Sequence, residues 1–220
     1  MALQIGDKAP QFTLRDAFEK EISLSDFKGK RVIIYFYPKD NTPGCTKEAC
    51  NFKDNWDILK RNNIVVLGIS KDDALSHQKF IDKFELPFIL LTDSVPCIVA
   101  SDYESYGLKK FMGKEYMGMI RNTFLVDPSG NIEKIYSKVK AAIMADHIIT
   151  DLGLSWIKIL KIIYFLFRNI IPCITKFGSM IMLLISFFNV LPIKLASPPH
   201  KINISFVLSK DILMAPVIEL

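Results

Sequence analysis

Cysteine is scarce in this chain: four occur in 220 residues, at positions 45, 50, 97 and 173. A chain this long has a core and needs no staples, so the small disulfide-framework class is excluded. Histidine is scarcer, with three. Neither His77 nor His147 has a partner at metal-ligand spacing, and both are read as structural. Cys45 and Cys50 lack the two or three further ligands that a zinc site wants nearby. They also lack the two-residue spacer usual in a redox dithiol. Residues 1–155 lack net charge. Seven of the 28 cations and two of the 23 anions fall in 156–220, which leaves 21 of each in front and puts the net +5 in the tail. Without a basic stripe, a nucleic-acid binder is excluded. The opening "MALQIGDKAPQF" lacks a charged-then-apolar leader pattern. A reducing, cytoplasmic setting is therefore expected, in which any disulfide is transient and chemical in purpose.

What is present is a soluble-looking front of 155 residues and an apolar rear. "RVIIYFY" (31–37), ended by Pro38, is a continuous β-branched and aromatic run, which predicts a buried central strand. "NIVVLGIS" (63–70) predicts a second and "LPFILLTD" (86–93) a third. "NTFLVD" and "NIEKIYS" around "PSG" predict a closing hairpin. Between them, residues 45–61 carry Phe52, Trp56 and Leu59 on one predicted helix face. Residues 72–84 open on an Asp pair suited to an N-cap and place Leu75, Phe80, Ile81 and Phe84 in a helical pattern. Residues 96–106 and 142–152 are weaker helix candidates. The opening segment predicts a short hairpin turning near Glu19, and "LSDFKGK" a turn and short helix. Strands alternating with helices give an α/β layered domain.

The stretch "PKDNTPGCTKEAC" (38–50) carries the chemistry. Cys45 follows "NTPG" and opens a helix, where unsatisfied backbone N–H groups and the positive end of the helix dipole favour a thiolate. The Thr42 hydroxyl can bend back toward that sulfur, Pro43 stiffens and shields the loop, and Gly44 leaves room for a small ligand. The pattern points to a nucleophile facing a small polar electrophile. Cys50 raises a geometric question. Five helical residues span about 7.5 Å of rise and about 500° of rotation, whereas a disulfide wants Cα atoms within about 7 Å. If the two sulfurs bond, the first helical turn must unwind, so that a sulfenic acid on Cys45 is met by Cys50. The alternative is that Cys50 is a core cysteine on the helix's inner face. Cys97, in "SVPCIVAS", is read as an apolar contact.

"YFYPKDNTPGCTKEAC" resembles the active-site signature of peroxiredoxins, most closely the PrxQ or bacterioferritin comigratory protein subfamily. The likeness continues through "LGIS", "LPFILLTD", "KKFMGKEYMGMIRNTFLVDPSGNI" and "DLGLS", over about residues 1–155. The resemblance implies a thioredoxin-like fold with a central mixed β-sheet flanked by helices. It implies reduction of hydrogen peroxide and organic hydroperoxides by a thiol, with no metal or organic cofactor, and recycling by thioredoxin or a similar dithiol. It makes Cys45 the peroxidatic cysteine and Cys50 the resolving cysteine. Pro38 and Thr42 become the loop positions around the sulfur, and Arg121 the arginine that faces it from a neighbouring strand. A monomer is expected. One departure, "KVKAAIMADHI" near the last helix, lies away from the site.

Residues 156–220 depart from the family pattern. "WIKILKIIYFLFRNIIPCITKFGSMIMLLISFFNVLP" (156–192) is too apolar for a surface helix, and its uncharged run between Lys176 and Lys194 is 17 residues, the lower edge of what spans a bilayer. Cations mostly on its N-terminal side would leave the front domain in the cytoplasm. Two readings stand: membrane association through this segment, or a frameshift or read-through extension. Two rival functions also stand beside the peroxidase, a general thiol-disulfide oxidoreductase and a membrane-tethered redox sensor.

Overall fold

The computed structural model describes residues 3–111, 113–137 and 140–154. The expectations for 156–220, Cys173 included, lie outside the described residues. Among the described residues, no helix is long and apolar enough to cross a membrane.

The run at 31–37 forms β3 (Arg31–Phe36), and its continuous hydrophobicity has a direct cause. Successive side chains point to opposite faces of a sheet, and here both faces are covered. Ile33 and Tyr35 join one core with Cys45, Ala49, Phe52, Leu59, Phe80 and Ile148. Val32, Ile34 and Phe36 join another with Leu67, Ile69, Tyr103 and Phe124. Beside β3 lie β4 (Ile64–Ser70), in parallel, and then β5 (Ile89–Thr92), parallel to β4. On the other side, β8 (Thr123–Val126) pairs antiparallel with β3, and β9 (Ile132–Tyr136) with β8. The predicted opening hairpin is β1 (Thr13–Asp16) and β2 (Glu21–Ser23), which turns through Glu19 at φ 61°. It adds to the far edge through β5, giving a seven-stranded mixed sheet in the order β2-β1-β5-β4-β3-β8-β9. This is the thioredoxin-like α/β fold expected from the sequence. A single 3-10 turn, Leu24–Phe27, feeds β3.

The helices are α1 (Pro43–Asp54), α2 (Trp56–Arg61), α3 (Ala74–Phe84), α4 (Ile98–Asp102) and α5 (Met144–Asp151). Three differences from expectation have physical causes. The predicted helix over 45–61 is two helices, broken at Asn55. That buried side chain donates from Nδ2 to the Asn51 carbonyl, 2.8 Å, and to Asp146, 3.3 Å. An Asn that bonds backbone in this way competes with the helical ladder. Phe52, Trp56 and Leu59 still meet in one core, now from two helices. In α3, capped by Asp73 through the Ser76 N–H at 2.8 Å, Leu75 points to solvent at 66% exposure while His77 is fully buried. Finally, β6 (Tyr106–Phe111) and β7 (Lys114–Met119) form a separate antiparallel hairpin that the sequence pattern did not announce.

Candidate active site

The loop between β3 and α1 carries the candidate nucleophile. Tyr37, still tied to β4 through its N–H to the Ile69 carbonyl, precedes the half-buried Pro38. Asn41 takes the left-handed region at φ 53°, which an Asn side chain tolerates. Thr42 is the N-cap of α1 and Pro43 its first residue, the position where a missing N–H costs nothing. Cys45, 2% exposed, is therefore the third helical residue.

The Thr42 hydroxyl does not cap the helix. It donates to the Lys39 carbonyl at 3.1 Å, and no side-chain bond reaches the first-turn N–H groups. With Pro43 lacking a donor, the N–H groups of Gly44 and Cys45 are left as the uncapped donors beside the sulfur. Pro43 is exposed, so it stiffens the loop without covering Cys45. Gly44 does leave room, and Arg121 uses it: a Cβ there would meet Arg121 Nη2 at 3.4 Å.

Arg121 lies between β7 and β8, just before the strand. Its Nη2 donates to Cys45 Sγ at 3.2 Å. Its Nη1 donates to Glu48, one helical turn beyond Cys45 on α1. Burial works against the guanidinium charge, yet Glu48 and Cys45 hold it above its ordinary range. Glu48 is fully buried. Burial pushes its carboxyl from 4.5 up to about 7, against the opposing pull of Arg121. One cation therefore serves two acceptors, a sulfur and a carboxyl group, in a largely water-free corner. The corner is backed by Tyr35, stacked between Tyr37 and Phe52 with ring centroids 5.4 and 4.9 Å away. Burial, then the neighbouring Glu48 and Cys45, keep the Tyr35 phenol neutral.

Cys50 lies half-buried on the same intact helix, and both cysteines are free. Cys97 is fully buried and its thiol donates to the Asp93 carbonyl at 3.4 Å, away from this constellation. No group of three or more His, Cys, Asp or Glu side chains among the described residues is arranged to hold a metal ion.

The AhpC/TSA family matches residues 5–135. The chain belongs to this family. Its likeness to individual members places it in the PrxQ/Bcp branch of the peroxiredoxins. Peroxiredoxin Bcp of Bacillus subtilis is 44% identical over 148 residues, which cover 67% of this chain and 92% of that protein. A structure of the Xanthomonas campestris bacterioferritin comigratory protein, described for its alkyl peroxide reduction activity, superposes with a TM-score of 0.61 at 31% identity. That match covers 64% of this chain and 90% of the other. A cysteine-to-serine variant of Xylella fastidiosa PrxQ gives a TM-score of 0.65 at 29% identity, over 70% of this chain and 97% of the other.

For this peroxiredoxin, the structure brings Arg121 to Cys45, sets Thr42 at the start of the helix that carries Cys45 and Cys50, and leaves Pro38 at the beginning of the loop, with no contact to the sulfur among the described residues. Glu48 escaped the sequence reading. Between Lys47 and Ala49 it looks like a solvated helix charge. A carboxylate directly behind the nucleophile on the helix, with a lone arginine 73 residues later, was the only available signal.

Proposed function

We propose that this peroxiredoxin reduces hydrogen peroxide and organic hydroperoxides by in-line attack of the Cys45 thiolate. The terminal peroxide oxygen passes to sulfur as a sulfenic acid, and the leaving oxygen departs as water or an alcohol after taking a proton. Arg121 and the Gly44 and Cys45 N–H groups offset charge that develops on the leaving oxygen, a preorganised electrostatic role. Thr42 fixes the loop that presents these donors, and Pro38 begins it. Cys50 then displaces water from the Cys45 sulfenic acid, closing a Cys45–Cys50 disulfide after the first turn of α1 unwinds. Thioredoxin or a similar dithiol protein returns both sulfurs to thiols. The single observation that carries this reading is the 3.2 Å approach of Arg121 Nη2 to Cys45 Sγ at an uncapped helix start.

The test uses the full chain. Stopped-flow oxidation by hydrogen peroxide and by an alkyl hydroperoxide, then mass mapping, is expected to give stoichiometric Cys45–Cys50 disulfide. Thioredoxin and its reductase are expected to sustain turnover. A protein that reduces insulin disulfides but consumes no peroxide is a general oxidoreductase instead. Full turnover in Cys45→Ser removes the proposal.

A further inference from the structure

Behind the catalytic loop lies a buried polar cluster that the peroxidase chemistry does not use. Asp40, 6% exposed, sits in the middle of the loop and aims its carboxylate into the domain. Its Oδ1 accepts from the Tyr37 hydroxyl at 2.7 Å. Its Oδ2 accepts from the Ser76 hydroxyl at 2.8 Å and lies 2.9 Å from Nδ1 of His77, which is fully buried. The other ring nitrogen of His77 is buried with no partner among the described residues. A proton there would have no acceptor, so the His77 proton belongs on Nδ1 and is donated to Asp40. The Asp40 backbone N–H is held as well, by Asp72 Oδ2 at 2.7 Å, and Asp72 is fixed by the Ser70 hydroxyl at 2.9 Å. The end of β4 and the start of α3 thus grip one loop residue through both its main chain and its side chain.

This grip bears on the resolving step. The loop is anchored upstream at Tyr37. With Asp40 also fixed, the slack that lets Cys45 swing toward Cys50 comes from the four residues 41–44, one of them Pro43 and another, Asn41, held among the described residues only by an exposed side-chain bond in which it accepts from Lys83 Nζ at 2.9 Å. With Asp40 released, Pro38 to Asp40 join the movable segment. We infer that the Asp40–His77 contact is a latch, with His77 a positioning residue that sets how fast the first turn of α1 opens for Cys50. Neither residue touches the sulfur. The latch rests on the proposed Cys45–Cys50 disulfide. It governs a competition at the Cys45 sulfenic acid. One branch condenses with the Cys50 thiol, forming the S–S bond and releasing water. The other takes a second oxygen from another peroxide molecule, giving sulfinic acid and releasing water or an alcohol. A tight latch favours the second branch.

Rapid-quench mass spectrometry of the full chain separates the species on Cys45 at several hydrogen peroxide concentrations. His77→Leu keeps most of the side-chain volume and removes the donor. Disulfide closure is expected to be about tenfold faster, as befits loss of one hydrogen bond to a buried carboxylate. The sulfinic fraction at high peroxide is expected to fall in proportion, while the first oxidation of Cys45 changes less than about twofold. His77→Asn loses volume but keeps a donor where Nδ1 stood, and is expected to restore the native partition. Tyr37→Phe, nearly isosteric, guards against a His77 variant that does not fold, and is expected to shift the partition in the same direction as Leu.

Unchanged partition in both His77→Leu and Tyr37→Phe overturns the latch. So does equal acceleration by Leu and Asn, which would mark simple loss of packing. Absence of any disulfide in the native chain instead overturns the proposed resolving chemistry, a result distinct from both.

Discussion

Arg121 places Nη2 3.2 Å from the sulfur of Cys45 while its Nη1 donates to the buried carboxyl group of Glu48. The arginine is thus held from two sides, and its free rotation over the loop mouth is removed before substrate arrives. A fixed fork can aim donors at a developing oxyanion in a way that a single flexible ammonium cannot. Arg121→Lys keeps the charge but loses that geometry. The second-order rate of Cys45 oxidation by hydrogen peroxide is expected to fall about 100-fold, the usual cost of one preorganised donor. Stopped-flow measurement under pseudo-first-order conditions checks it, and a loss smaller than threefold would assign Arg121 to structure alone.

Glu48 competes with Cys45 for the same cation, and its titration makes the competition visible. Its folded carboxyl is raised to about 7 from 4.5, chiefly by burial. The native state therefore takes up this proton more readily than the unfolded chain, and stability falls as pH rises between those values, with the cost fully present above about 7. Glu48→Gln is expected to flatten the slope of the urea midpoint between pH 5 and 7. It also leaves Arg121 with one anionic partner in place of two. Above about pH 7, where the native Glu48 is ionised, Cys45 of the variant is then expected to react faster with peroxide than in the native chain, and the two rates should converge toward about pH 5.5, where the native Glu48 is already mostly neutral. A steeper stability slope in the variant would reverse the assignment.

The sequence made most of the central sheet and the candidate nucleophile plain because both depend on local pattern. β3, β4 and the β8–β9 hairpin follow from apolar runs and a Pro-Ser-Gly turn, and Cys45 follows from Pro and Gly immediately ahead of a helix. What stayed hidden depends on tertiary partners. Asn55 breaks a helix because Asp146 waits 91 residues away. Glu48 is buried because Arg121 arrives from the far side of the β6–β7 hairpin. His77 turns inward and Leu75 outward because Asp40 gives the imidazole a partner in the core. In each case a polar side chain stands at helical spacing from apolar ones, on the face that packs inward, where its residue type alone suggests solvent, and only a distant residue accounts for it.

Cys50 and Cys45 share an intact helix, so the proposed second step requires a conformational change that the first does not. Cys50→Ser is expected to leave the initial oxidation of Cys45 within about twofold of native, since a half-buried thiol five residues along adds little to the nucleophile's field. The sulfenic acid is expected to persist, to be trapped by dimedone, and to pass to sulfinic acid as peroxide rises. Turnover with thioredoxin should cease. Continued turnover at the native rate would mean that another thiol resolves Cys45.

Two glycines separate stability from chemistry. Gly68 lies in β4, at the centre of the sheet. A Cβ there would sit 2.6 Å from the Tyr35 hydroxyl oxygen and 2.7 Å from Leu90 Cδ2. Tyr35 is wedged between Tyr37 and Phe52, with the Phe88 ring edge-on at 6.1 Å, so the ring has nowhere to move. Gly68→Ala is therefore expected to cost about 2–3 kcal/mol through overpacking. The melting temperature should drop by about 5–10 °C, measured by calorimetry. At Gly44 the same substitution meets only the tip of Arg121, at 3.4 Å. Gly44→Ala is expected to leave the melting temperature within about 2 °C of native. It should nevertheless slow Cys45 oxidation severalfold, because the added methyl group, in contact with the guanidinium, takes the space beside the sulfur that the proposed peroxide approach uses. If Gly44→Ala instead melted early and reacted normally, the close approach of Arg121 to the helix start would be a packing contact without catalytic weight.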